Sequence, residues 1–369
     1  MTVRDVMRTP AVIGRRPVLI TGGAGFIGSN LADRLAREGY DVLVYDALAR
    51  CGVDANLAWL KKRHPQRLSV ALGDVRDEVA IADASAEATA VFHFAAQVAV
   101  TTSLVEPRAD FDVNVRGTLN LLEALRRRDA PVPLLFASTN KVYGDLADVA
   151  LEATNDAYVP RDAGLRASGI GEDRSLDFHT PYGCSKGAAD QYVLDYARSF
   201  GVPTCVMRMS CIYGPRQMGT EDQGWVAHFV IRALQGEPIS IYGDGRQVRD
   251  ILDVSDALDA YIAAWRRIDA VQGRAFNLGG GPANAVSLRQ LLRHIEGLLG
   301  QPVELTFSDW RAGDQRYYVS DTKRAARELG MRQPIPWRTG VAALARWLAD
   351  ERGLNLLSDP RRKAAEALS

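Results

Sequence analysis

The stretch "VLITGGAGFIGSN", residues 18–30, decides how the rest of the chain is read. A short apolar run ends at glycines, as a buried strand does, and residues with helical spacing follow. Ile27, Leu31, Leu35 and Ala36 fall on one face, and Gly39 closes the pattern. Gly23, Gly25 and Gly28 fit G-x-G-x-x-G, while Gly22, Gly25 and Gly28 fit G-x-x-G-x-x-G. The physics is the same for both. Glycines allow a tight turn, a close approach of backbone to a pyrophosphate, and close packing of helix on strand. The helix opening at Phe26 and Ile27 offers free N–H groups and positive potential to phosphates. A glycine turn can be no more than a turn, but this one sits between strand and helix. Asp46 also ends the next strand about 20 residues on, where a ribose-binding acid belongs. Asp46 should hydrogen-bond the adenine ribose hydroxyls and repel a 2′-phosphate, so NAD is the expected cofactor rather than NADP. Arg50, nearby, would suit a 2′-phosphate but reads as a surface cation.

Strands and helices alternate outward from this stretch. "DVLVYD" (41–46), "LSVALGD" (68–74), "AVFHFAA" (90–96), "VPLLFAS" (132–138) and "PTCVMRMSCIYG" (203–214) read as further strands. "NVRGTLNLLEALRRR" (114–128) and "CSKGAADQYVLDYARSFG" (184–201) read as helices, the second closed by Gly201. This alternation predicts an α/β fold, a Rossmann doubly wound parallel sheet spanning 16–215. Asp74 and Val75 end the third strand, where adenine would be contacted. Asp74 serves equally as a helix N-cap. Residues 146–181 are polar and aperiodic, a long loop insertion of the functional kind.

After about Pro215, helices such as "WVAHFVIRALQG" (225–236) and "SLRQLLRHIEGLLG" (287–300) mix with short isolated strands, "ISIYGDG" (239–245) and "VELTF" (303–307). Residues 216–350 are expected to form mainly a smaller, mixed α/β substrate-binding domain, with some segments returning to the Rossmann domain. Residues 1–15 are basic without an apolar signal-peptide core and read as a flexible extension; 351–369 read as a tail.

Composition sets the outer bounds. Lys plus Arg and Asp plus Glu are 45 each, so no global field recruits nucleic acid or an anionic membrane. No run approaches the ~18 apolar residues of a membrane-spanning helix. Cys51, Cys184, Cys205 and Cys211 form no C-x-x-C pair, and the histidines are scattered. No structural metal and a reduced, cytoplasmic setting are expected.

"TPYGCSKG" (180–187) puts Tyr182 and Lys186 at i and i+4, on one helix face. A tyrosine of ordinary pKa, about 10, is a poor base near neutrality. A nearby ammonium and a cationic nicotinamide ring would both favour tyrosinate. The pair then suits removal of a hydroxyl proton during hydride transfer. "STNKVYGD" (138–145) follows an apolar run and carries the Thr139 hydroxyl to a strand tip. An acid and a base in the next two places would suit elimination of water, but Asn140 and Lys141 are neither.

Together "TGGAGFIG", Asp46, "STNKVYG" and "YGCSK" resemble the extended short-chain dehydrogenase/reductase family of nucleotide-sugar epimerases and dehydratases, over about residues 17–345. The resemblance implies Thr139 as the hydroxyl that orients the sugar, Tyr182 as acid/base, and Lys186 as anchor of the nicotinamide ribose and tuner of Tyr182. It implies that Ala95, Ala96 and Gln97, with Asn114, line NAD; the plainer reading of Asn114 is a helix cap, and its position favours the cofactor. In 4,6-dehydratases of this family an acid and a carboxylate follow the Thr. Asn140 and Lys141 stand there in this chain, so simple redox epimerisation is expected. The plainer reading is an Asn in a turn and a Lys in solvent. By family position Arg249 and Arg311 bind the diphosphate, with Asp314 and Gln315 near the nucleotide. Cys211 replaces an Asn that touches phosphate in many relatives. The helices of Asn114–Arg128 and Tyr182–Phe200 imply a homodimer.

Longer runs, "LDFHTPYGCSKGAADQYVLDYAR" (176–198) and "RMSCIYGPRQMGTEDQGWVAHF" (208–229), resemble the CDP-paratose (CDP-tyvelose) 2-epimerase branch. That likeness implies C2 epimerisation of a CDP-sugar through a keto intermediate. The rival enzyme is a UDP-sugar 4-epimerase of the same fold. A rival of another class, a non-catalytic dinucleotide-sensing protein, should have lost Tyr182 or Lys186.

Overall fold

The computed structural model describes residues 16–311 and 313–354. The 1–15 extension and the tail from 355 onward lie outside the described residues. The apolar runs of the first half become β1 (Val18–Thr21), β2 (Val42–Asp46), β3 (Leu68–Leu72), β4 (Ala90–His93) and β5 (Leu134–Thr139). A hairpin of β6 (Leu151–Ala153) and β7 (Tyr158–Pro160) follows, then β8 (Thr204–Met209) and β9 (Cys211–Tyr213). The last third adds β10 (Ile239–Tyr242), β11 (Val248–Asp253), β12 (Arg274–Leu278), β13 (Ala285–Ser287), β14 (Leu305–Ser308) and β15 (Tyr317–Tyr318).

The first half also holds helices α1 (Phe26–Arg37), α2 (Val53–Arg63), α3 (Glu78–Ser85), α4 (Val100–Val105), α5 (Pro107–Phe111) and α6 (Gly117–Arg126). Next come α7 (Ala163–Ser168), α8 (Thr180–Phe200) and α9 (Trp225–Leu234). Then follow α10 (Val254–Arg266), α11 (Ile268–Val271), α12 (Leu288–Leu299), α13 (Lys323–Leu329) and α14 (Trp337–Arg352).

A seven-stranded parallel sheet runs in the order β12-β8-β5-β4-β1-β2-β3. Helices cover both faces, which is why most of its strands read as near-continuous apolar runs. One face packs α1, α2 and α10 around Leu31, Leu35, Leu57 and Leu258. The other packs α3, α6 and α8 around Ile81, Leu121, Leu125 and Val193. Truncating one such fully buried leucine to alanine costs about 2–5 kcal/mol. The strand order reverses between β1 and β4, and the crevice outside the carboxyl ends at such a switch point is where ligands bind. The glycine turn, Asp46, Ala95 and Thr139 all stand at those carboxyl ends.

Several elements differ from the sequence reading. "PTCVMRMSCIYG" is two strands, because Ser210 breaks the run. Its hydroxyl donates to the carbonyl of Asp250 at 2.9 Å and to that residue's buried carboxylate at 2.5 Å. The chain then leaves the main sheet, and β9 pairs with β11. It returns as β12, a strand the pattern reading passed over. β10 and β14 are not isolated; they pair in parallel. Residues 146–181 are no structureless loop. They hold β6, β7 and α7, and Leu176 and Phe178 pack on a cluster of Val142, Tyr143 and Tyr318. Asp77, not Asp74, caps α3, accepting from the amides of Val79 and Ala80. Asn114 caps nothing: it lies in a π-helical turn, Asp112–Arg116, between α5 and α6. α8 begins at Thr180, with Pro181 in its first turn, so Tyr182 and Lys186 are both helical.

Candidate active site

The glycine turn between β1 and α1 is shaped for a phosphate. Gly25 caps α1 without a side-chain hydrogen bond, so the first amides of the helix stay free for a ligand. A Cβ on Gly28 would lie 2.2 Å from the Gly22 carbonyl oxygen. Gly22 has φ +67°, and a Cβ there would lie 2.7 Å from the Ala95 amide nitrogen. Asp46 braces the turn: one carboxylate oxygen accepts from the Ala24 amide at 2.9 Å and the other from the Leu48 amide at 2.8 Å. Each oxygen keeps a lone pair for a ribose hydroxyl. The cradle therefore fits a dinucleotide. Phe26 and Ile27, half-buried, pack α1 onto the core behind it. Overpacking of this kind costs about 1–3 kcal/mol, so Gly28→Ala should weaken NAD on the order of tenfold or more. A fluorescence titration, with circular dichroism to confirm folding, checks this.

Asp74 is committed to Arg76, at 3.0 and 2.7 Å, and the guanidinium holds its carboxyl below the usual carboxylate range. Val75 is buried, packed against Gly117. After β4 the chain runs through Ala95, Ala96 and Gln97. Asn114 clamps that segment from both sides: its carbonyl oxygen accepts from the Gln97 amide at 2.9 Å, and its Nδ2 donates to the Gln97 carbonyl at 3.0 Å. The same Nδ2 also donates to Ser185 Oγ at 3.0 Å and to Asp110 Oδ1 at 3.3 Å, so the side chain ties this segment to α8 and α5.

Tyr182 and Lys186 are both buried, one helical turn apart. The Tyr182 amide donates to Ser103 Oγ at 3.1 Å. Burial pushes the phenol up to about 12, while a hydrogen bond with the Thr139 hydroxyl pulls the other way. Burial pushes the Lys186 ammonium down to about 7, opposed by Asp190 and Asp110. Lys186 Nζ stands 4.2 Å from the centre of the Phe136 ring. Beneath them His93 bridges the hydroxyls of Thr21 and Thr118 at 2.6 and 3.0 Å. Burial holds it neutral, at about 3.

The residues after Thr139 are not in a solvent-facing turn. Asn140 Nδ2 donates to Gln315 Oε1 at 3.0 Å, and Lys141 Nζ donates to the Gly313 carbonyl at 3.0 Å. Asp314 joins this group, 3.9 Å from Lys141 Nζ and 2.7 Å from Arg249. Lys141, Arg249 and Asp314 thus form one cluster. Arg311, expected as the second phosphate ligand, pairs instead with Glu221 at 3.1 Å and Asp222 at 3.7 Å, and stacks 3.7 Å over Tyr242. Cys211 accepts from Trp225 Nε1 at 3.2 Å. His179, at the N-cap of α8, sits between Asp177 at 3.0 Å and Asp145 at 3.6 Å, all half-exposed or exposed.

Sequence reasoning missed the layer beneath. Ser138 Oγ and Arg208 both bond the buried Asp190. Asp190 lies one turn past Lys186 on the same face, a spacing that could have exposed it. Nothing local points to Arg208, which arrives from the neighbouring strand.

The description "NAD dependent epimerase/dehydratase family" matches residues 18–279. The chain is 40% identical over 337 residues to CDP-paratose 2-epimerase from Salmonella typhi, covering 89% of this chain and 98% of that protein. It is 32% identical to UDP-glucose 4-epimerase from Mycolicibacterium smegmatis, covering 88% and 96%. Among solved structures, UDP-glucose 4-epimerase from Thermotoga maritima with UDP-glucose superimposes with TM-score 0.77 at 27% identity, covering 91% of this chain and 99% of that one. The dTDP-glucose 4,6-dehydratase from Streptomyces venezuelae with NAD bound gives 0.77 at 28%, covering 91% and 98%. The chain belongs to the NAD dependent epimerase/dehydratase family, and its cofactor is NAD.

Proposed function

We propose that the protein epimerises a nucleotide-diphosphate sugar, a CDP-sugar at C2, by transient oxidation to a keto sugar. The observation that carries this is the match along nearly the whole chain to a CDP-paratose 2-epimerase, higher in identity than the match to the UDP-glucose 4-epimerase. The site chemistry agrees. NAD, when bound, supplies the hydride acceptor and donor. Tyr182 takes the proton of the sugar hydroxyl as hydride leaves the same carbon, and gives it back after the keto sugar has turned over in the pocket. Its buried phenol needs positive charge to ionise, which Lys186 and the cationic nicotinamide would provide. Thr139 orients the hydroxyl. Asn140 and Lys141 donate to the developing oxyanion, and Asn140 has no acidic proton to give a leaving hydroxide. Arg249, with Arg311 once it leaves its acidic partners, would bind the diphosphate.

The reading includes a homodimer, supported by exposed Leu104, Val105 and Phe111 on α4 and α5 and exposed Tyr192 and Phe200 on α8. It also includes a reducing, cytoplasmic setting, supported by four free cysteines. Incubation with CDP-, UDP-, dTDP- and GDP-hexoses, with products identified by NMR, tests the substrate. The CDP-sugar should be inverted at C2. Turnover of a UDP-hexose at C4 alone would move the protein to the rival branch.

A pH effect follows from Lys141, which burial, together with the charge of Arg249, pushes down to about 8. Above that value the ammonium loses its proton and its hold on an anionic ligand. KM for the nucleotide sugar should therefore rise as pH passes about 8, and Lys141→Gln should flatten that rise. Steady-state KM against pH checks it.

A further inference from the structure

Asp110, on α5, has no part in the chemistry above, yet its buried carboxylate sits at a junction of the site. It accepts from Ser185 Oγ of α8, from Gln97 Nε2 at 2.8 Å and from Asn114 Nδ2 at 3.3 Å. Ser185 lies between Tyr182 and Lys186 in the chain and also accepts from Asn114 Nδ2 at 3.0 Å. One carboxylate therefore joins the cofactor segment, the π-helical turn and the catalytic helix.

A buried carboxylate with no cation in contact is costly: burial pushes the Asp110 carboxyl up, while the hydrogen bonds from Ser185 and Gln97 and the charge of Lys186 pull it back, so shape alone does not account for it. The groups around Lys186 suggest what it serves. Phe136 faces it from β5, neutral His93 from β4, and Tyr182 from one turn earlier on α8. Two carboxylates favour its ammonium, Asp190 and Asp110. Asp190 is already matched by Arg208, at 3.0 and 2.9 Å. Asp110 is the one whose charge is not cancelled by a contacting cation among the described residues.

We propose that Asp110 is a positioning residue: through Ser185 it fixes the first turns of α8, and its negative charge keeps Lys186 an ammonium beneath Tyr182. This rests on the chain's own groups and not on which sugar is turned over. Carbon-13 NMR of protein labelled at lysine Cε tests it without substrate. The chain has six lysines, and the Lys186 signal is the one lost in Lys186→Arg. Asp110→Asn keeps the size and removes the charge, so the Lys186 titration midpoint should fall by about one pH unit. Ser185→Ala cuts the tie but keeps the charge, so the midpoint should hold. An unchanged midpoint in Asp110→Asn, or an equal fall in Ser185→Ala, overturns the proposal. If Asp110→Asn does not fold, neutron diffraction of wild-type crystals at neutral pH decides. A bare carboxylate is expected, and a deuteron on Asp110 overturns it.

Discussion

Tyr182→Phe should lower turnover by about 10²- to 10⁴-fold and leave NAD bound. The change removes one oxygen from a buried ring, so the fold should persist. The NAD cradle is built from β1, α1 and Asp46, which Tyr182 does not support. The loss should fall on the chemical step. The Thr139 hydroxyl can hold a sugar oxygen but cannot take its proton. Lys186 as an ammonium cannot take that proton either, and it stands a full helical turn further along α8. A rate measurement beside an NAD titration separates the outcomes. Turnover near normal would remove Tyr182 from the mechanism. Loss of NAD together with activity would make its role structural.

The largest stability effect should come from Arg208→Met. Arg208 on β8 and Asp190 on α8 form a two-point ion pair with side chains 5% and 0% exposed. Arg208 also donates to the Tyr143 hydroxyl at 3.1 Å, and that hydroxyl donates to Asn277 Oδ1 at 2.7 Å. Methionine fills much of the same volume, so the loss is mainly electrostatic. It strands the Asp190 carboxylate in the interior, and breaking a buried pair in this way costs about 3–5 kcal/mol. Denaturant unfolding should show a correspondingly lower midpoint. Adding Asp190→Asn should recover part of the loss, because the stranded charge is then gone. If the double variant is no more stable than Arg208→Met, the penalty is packing rather than charge.

The parts of the site legible in the sequence are those that local spacing encodes. The glycine turn, Asp46 and the Tyr182–Lys186 pair each lie within one strand, turn or helix face. What escaped was carried by contacts between distant segments. Asn140 and Gln315 are 175 residues apart, Lys141 and Gly313 172, and Ser185 and Asp110 75. No periodicity records such pairs. β6 and β7 are three residues each, too short to show a period of two, so the insertion read as loop. Family position points Arg311 at the diphosphate, and position does not foresee that Glu221 and Asp222 claim it.

Hydride removal and return at one sugar carbon is tested most directly with CDP-paratose in deuterated water, followed by proton NMR. The expected result is inversion at C2 with the original hydrogen kept on that carbon. Deuterium at C2 of the product would mean deprotonation beside a ketone, and would contradict the role given to Tyr182 and NAD.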